Sequence, residues 1–141
     1  MKQLIHFITL GVQDLEAMKK FYIEKFGWKP LKDEKAIVFF RLNGFILSLF
    51  PNEELAKDAG VKTEKHKYKG FTFAINYPTE KEVDLAFSDL KKRGVNIVKE
   101  PQKVFWGGYS GYVEDIEHNL WEFTYNPFLE VDDNDNVVSH K

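Results

Sequence analysis

A chain of 141 residues is long enough for one ordinary domain with its own core and too short for two large ones. Its 20 Lys plus Arg stand against 22 Asp plus Glu, so no strong basic field points to nucleic acid or an anionic membrane, and small-molecule or protein partners are expected. The absence of cysteine excludes disulfides, thiolate metal sites and a thiol nucleophile. No run approaches the roughly 18 to 20 consecutive apolar residues of a membrane helix. The opening Met1-Lys-Gln-Leu-Ile-His-Phe7 is unlike a secretory leader, so a cytoplasmic location is expected. The 13 Phe suggest a dense aromatic core ahead of an aromatic-walled pocket.

Residues 4–12 are mainly apolar and β-branched, which suits a strand covered on both faces. Asp14 is placed to cap a helix, and Leu15, Met18, Tyr22 and Phe26 follow at spacings of three and four, one apolar stripe that Gly27 closes. Three short strands are expected near residues 28–32, 36–42 and 45–50, with Asn43-Gly44 as a tight hairpin turn. From Asn52 the chain can make one or two helical turns before a lysine-rich linker ending near Lys69. Its Lys62, Glu64, Lys65, His66, Lys67 and Lys69 read first as a solvated loop, and second as a lid over an anionic ligand.

The same order then recurs. Residues 71–77 read as a strand, and Thr79-Glu-Lys-Glu82 is a capping box opening a helix with Val83, Ala86, Phe87 and Leu90 on one side. Lys91, Lys92 and Arg93 suit a helix C-terminus, and Gly94 closes it. Strands are expected at 95–98, 109–114 and 120–125, the last two joined by a turn over 115–119 whose His118 is of a residue type that tolerates a positive φ. The fold class is therefore α+β, two tandem βαβββ modules: module one over 1–51, a linker over 52–69 and module two over 70–128, together one domain. The acidic residues 129–141 read as a frayed tail.

Phe7-Ile-Thr-Leu-Gly-Val-Gln-Asp-Leu15 with Phe21-Tyr22 and Phe26-Gly27-Trp28, then Trp106-Gly-Gly-Tyr-Ser-Gly-Tyr112, Asp115 and Asn119-Leu-Trp-Glu-Phe-Thr-Tyr-Asn-Pro127, resemble the glyoxalase/bleomycin resistance/extradiol dioxygenase (vicinal oxygen chelate) superfamily. The resemblance implies that each half's strands curl into a cup with the helices outside, that the cups combine into one cleft, and that the chain forms a homodimer. In enzymes of that superfamily four His, Glu or Gln side chains hold a divalent metal that binds vicinal substrate oxygens. Here the corresponding positions fall on Phe7, on Leu47 give or take one, and on Phe71, Thr72 or Phe73, while only Glu122 keeps a ligand-type side chain. His6 is adjacent to Phe7 but, by strand alternation, points to the other face. Neither a metal nor another cofactor is expected.

With Phe7, Thr9, Leu47, Glu122 and Thr124 on the inner face, the cleft becomes an apolar bowl suited to a planar molecule. Trp106, beside Gly107 and Gly108, and Tyr109 would stack on a ligand at the rim, or else plug a dimer contact or cover the core. Glu122 is the candidate catalytic acid or base, with Arg41 as a candidate partner that can equally lie on an exposed strand face. Trp121, Phe123 and Tyr125 should pack beneath a helix. The expected function is metal-free binding of a small aromatic or apolar molecule. The alternatives are a divalent-metal-dependent lyase, isomerase or dioxygenase, and an interaction domain with a vestigial cleft.

Overall fold

The computed structural model describes residues 3, 5–60, 62–63, 69 and 71–141. The expectations for Leu4, Glu64, Lys65, His66 and Lys67 in the first strand and the linker lie outside the described residues. Two compact units divide the chain, Met1–Lys65 with Asn134–Asn136 and His66–Asp133 with Val137–Lys141.

The first unit runs β1 (Phe7–Val12), α1 (Leu15–Glu24), β2 (Lys32–Glu34), β3 (Ile37–Arg41), β4 (Ile46–Pro51) and α2 (Asn52–Ala59). Asp14 opens α1 by accepting a hydrogen bond from the Ala17 amide at 2.9 Å, and Met18, Phe21 and Tyr22 are buried beneath it. The helix stops at Glu24, so Phe26 packs from beyond its end, against Phe21 and Tyr22. Gly27 then takes a φ of 73°, which a side chain would resist.

Trp28 is not in a strand as expected. Its indole stacks on Tyr22 with centroids 5.3 Å apart, and β2 starts only at Lys32. Pro30 lacks an amide donor and fits this entry loop better than a ladder. The strand order is β1-β4-β3-β2, with β1 parallel to β4 and the others antiparallel. Asn43-Gly44 makes the β3–β4 turn, Gly44 at φ 93°. Ile8, Leu10, Val12, Leu47, Leu49, Val38 and Phe40 share the covered face of this sheet by register, and Leu10, Val12, Leu47, Leu49, Val38 and Phe40 are buried.

The second unit repeats the plan with β5 (Phe73–Asn76), α3 (Glu80–Lys92), β6 (Asn96–Lys103), β7 (Tyr109–Glu114) and β8 (Leu120–Tyr125). Its order is β5-β8-β7-β6, again with the first strand parallel to the last. Thr79 caps α3 by accepting from the Glu82 amide at 3.2 Å, and its hydroxyl donates to the Glu82 carboxylate at 2.9 Å. Val83, Phe87 and Leu90 form the buried stripe, and Gly94 has the same φ of 73° as Gly27.

The structure departs from expectation in the bounds of β5, in β6 and beyond residue 128. β6 runs on to Lys103, past Val98, because it is an edge strand in which register shifts accommodate Pro101 without a missing ladder bond. Residues 129–141 are not a frayed tail. They contain an antiparallel hairpin of β9 (Leu129–Val131) and β10 (Val137–His140), whose polar connection includes Asp135 at φ 60°. Gly111 on β7 is required by close approach: a Cβ there would stand 2.5 Å from the Phe87 ring and 2.8 Å from the Pro101 nitrogen.

Candidate functional site

In each sheet one face is covered by apolar residues and the alternate residues line the other, more open face, on which the small side chains of Ser48, Ser110 and Thr124 are nevertheless buried. Along β1 the alternation is clean, with Leu10 and Val12 buried while Phe7 is 49% exposed and Thr9 is exposed. Phe7 meets Phe39 edge to face at 5.4 Å, so the open face of the first sheet carries an aromatic pair.

Leu47 is not on that face. Register pairs it with Ile8 and Phe40, and it is fully buried on the covered side. The open-face positions of β4 are its neighbours Ile46 and Ser48, because a shift of one residue reverses the face. Ser48 is only 1% exposed, and its hydroxyl has no hydrogen-bond partner among the described residues. His6 also departs from expectation. It lies before β1, where strand alternation does not govern its direction, and lines the same groove as Phe7. That groove, of about 700 Å³, is further lined by Arg41, Asn43, Ile46 and Asp135.

On the second sheet Glu122 lies beside Ala74 and Tyr112 in the ladder, and the Ser110 hydroxyl donates to its Oε1 at 2.5 Å. Thr124 lies opposite Ser110, and its hydroxyl donates to the Tyr109 carbonyl at 3.2 Å. Trp121 and Phe123 are buried on the opposite face, Phe123 against the Phe87 ring of α3.

Tyr109 shares that covered face rather than joining Glu122. Its hydroxyl donates to Asp84 of α3 at 2.7 Å, and this bond holds the phenol up at about 12. Trp106 folds back over Gly108, where a Cβ would stand 2.0 Å from the indole. It lines a separate groove of about 490 Å³ with Asn126, Phe128 and His140. His140 is exposed, as expected, with its ring 6.1 Å from that of Phe128. The sequence-named residues therefore fall into three places: Phe7 with Thr9, Glu122 with Thr124, and Trp106. Phe39, Ser110 and Phe128 were missed, although strict alternation from Val38 and Phe40 would have exposed Phe39.

The donor chemistry does not fit a divalent ion. Phe7, Ile46, Ser48 and Ala74 offer no imidazole or carboxylate on the open faces, and Phe73 packs against Trp121 at 4.6 Å on the covered one. Glu122 is a single carboxylate already hydrogen-bonded to Ser110, and among the described residues no three His, Asp or Glu side chains converge. Among the same residues no helix is long and apolar enough to cross a membrane.

The model of a family described as the Glyoxalase/Bleomycin resistance protein/Dioxygenase superfamily matches residues 4–123. Over 99% of its length the chain is similar to all of a glyoxalase-related enzyme from Fulvimarina pelagi, at 31% identity and a TM-score of 0.88. A glyoxalase/bleomycin resistance protein/dioxygenase from Nocardioides shares the fold at a TM-score of 0.77 and 24% identity, over 89% of this chain and 84% of that one. So does a lactoylglutathione lyase from Agrobacterium tumefaciens, at 0.70 and 24%, over 89% and 96%.

Proposed function

For this chain, which belongs to the glyoxalase/bleomycin resistance protein/dioxygenase superfamily, we propose binding of a small aromatic or apolar molecule on the open face of a sheet, without a protein-held metal. The observation that carries this reading is the half-exposed Phe7 set edge to face against Phe39, at a strand position where metal-dependent relatives need a ligand. A planar ligand laid on that pair removes apolar surface from water at about 25 cal/mol per Å². Thr9, exposed on the same face and paired with the buried Ser48 in the ladder, supplies a hydroxyl beside it. Homodimeric assembly, implied by the family resemblance, is part of the proposal and is read by sedimentation.

The test is a calorimetric titration of the whole chain with 2-naphthamide, a neutral bicyclic probe, together with metal analysis of protein purified without chelators. Saturable binding that Phe7→Ala weakens is the expected result. One tightly held divalent ion per chain, released by Glu122→Gln, would overturn the metal-free reading.

A second reading makes the second sheet catalytic, with Glu122 accepting a proton. The 31% likeness to a glyoxalase-related enzyme favours it, as does a carboxylate already oriented by the Ser110 hydroxyl. Its check is whether Glu122→Gln abolishes any turnover found for the parent chain.

A further inference from the structure

We propose that the ligand of the first sheet is an aromatic monoanion whose carboxylate is received by Arg41; this rests on the reading that the Phe7–Phe39 face takes an aromatic molecule. Strand register places the parts. Phe7 pairs with Ile46, and Ile46 pairs with Arg41, so the three lie in one row across β1, β4 and β3 on the open face. Phe39 precedes Arg41 by two residues on that face, a step of about 7 Å along the strand. A ring lying over Phe7 and Phe39 therefore directs a substituent toward the guanidinium, and the groove of about 700 Å³ that contains Phe7 and Arg41 is large enough for a bicyclic molecule.

Arg41 is exposed and, among the described residues, has no carboxylate within ion-pair distance. Its planar fork is thus available for two parallel hydrogen bonds to a carboxylate. A second cation sits over this face: Lys32 lies 5.4 Å from the centre of the Phe39 ring and pairs with Glu34 at 3.2 Å. His6 adds a second donor to the groove, while the Asn43 amide is already given to the Asp135 carbonyl at 2.7 Å.

Asp135 also lines the groove, and its negative charge disfavours each further charge on the ligand, so a monoanion is proposed rather than a dianion such as a phosphate monoester.

The experiment compares 2-naphthoate, 2-naphthamide and 2-naphthyl phosphate by calorimetry on the whole chain, the Arg41→Gln variant and the Asp135→Asn variant. Naphthoate should bind about fivefold tighter than naphthamide, as for a partly solvated charge-assisted pair. Arg41→Gln should remove that advantage, and added salt should shrink it. The phosphate should bind more weakly than naphthoate and recover in Asp135→Asn. If naphthamide binds and naphthoate binds no tighter, or keeps its advantage in Arg41→Gln, the anion assignment is overturned and the aromatic reading stands. If none of the three binds, both are overturned together.

Discussion

The Ser110 hydroxyl donates to Glu122 Oε1 at 2.5 Å, along a diagonal of the β7–β8 ladder in which Ser110 faces Thr124 and Glu122 faces Tyr112. Ser110 is 2% exposed, so its hydroxyl turns a buried polar atom into the support of a half-buried carboxylate. Ser110→Ala should lower stability by about 1 kcal/mol, the usual worth of one hydrogen bond. Glu122→Gln keeps an acceptor and should cost less. Urea denaturation of both variants checks the order, and the reverse order would mean that the pair does not couple the strands.

Phe7 and Leu47 separate binding from folding. Leu47→Ala empties a fully buried position and should cost about 3 kcal/mol. Phe7→Ala removes a half-exposed ring and its edge contact with Phe39, so about 1 kcal/mol is expected, with a larger proportional loss of 2-naphthamide affinity. Equal destabilisation by the two substitutions would contradict the assignment of faces.

Ser48 holds a buried hydroxyl without a partner among the described residues. Ser48→Ala deletes an unsatisfied polar atom and should raise the stability of the ligand-free chain by up to about 1 kcal/mol. A loss of that size in thermal unfolding would show instead that the hydroxyl is bonded.

Tyr109 makes stability depend on alkaline pH. Its phenol is raised from 10.0 to about 12, first by the hydrogen bond to Asp84 and then by burial. The folded state therefore favours the protonated form. The contribution is complete below about pH 10 and is lost as pH rises through the folded value of about 12. In Asp84→Asn, the phenolate absorbance of Tyr109 should titrate closer to 10, and an unchanged titration would remove Asp84 as the cause.

Elements with strong local chemistry were legible in the sequence. β7 and β8 match their expected bounds because alternating residues and a five-residue turn define them on both sides. Asp14 and Thr79 cap their helices because a short polar side chain before an apolar stripe has little else to do. His118 takes a positive φ of 66°, which its residue type tolerates.

Features decided by tertiary pairing were not legible. The face of Leu47 hangs on a single step of register, which composition does not set in a strand apolar on both sides. The length of β6 depends on β7 supplying partners around Pro101, and the β9–β10 hairpin depends on Val131 finding Val137 across a polar connection. The aromatic pair of Phe7 and Phe39 likewise required knowing that β4 lies between their strands.

Gly111 gives the second sheet an unexpected kind of linkage. The space its missing side chain leaves is already shared by a helix ring from Phe87 and the backbone at Pro101. Position 111 is therefore not independent in sequence: enlarging it calls for a smaller residue at 87 and a retracted edge strand at once. A library that varies position 111 alone should yield few folded clones, whereas one that varies 87, 101 and 111 together can repack the helix-covered side of β7.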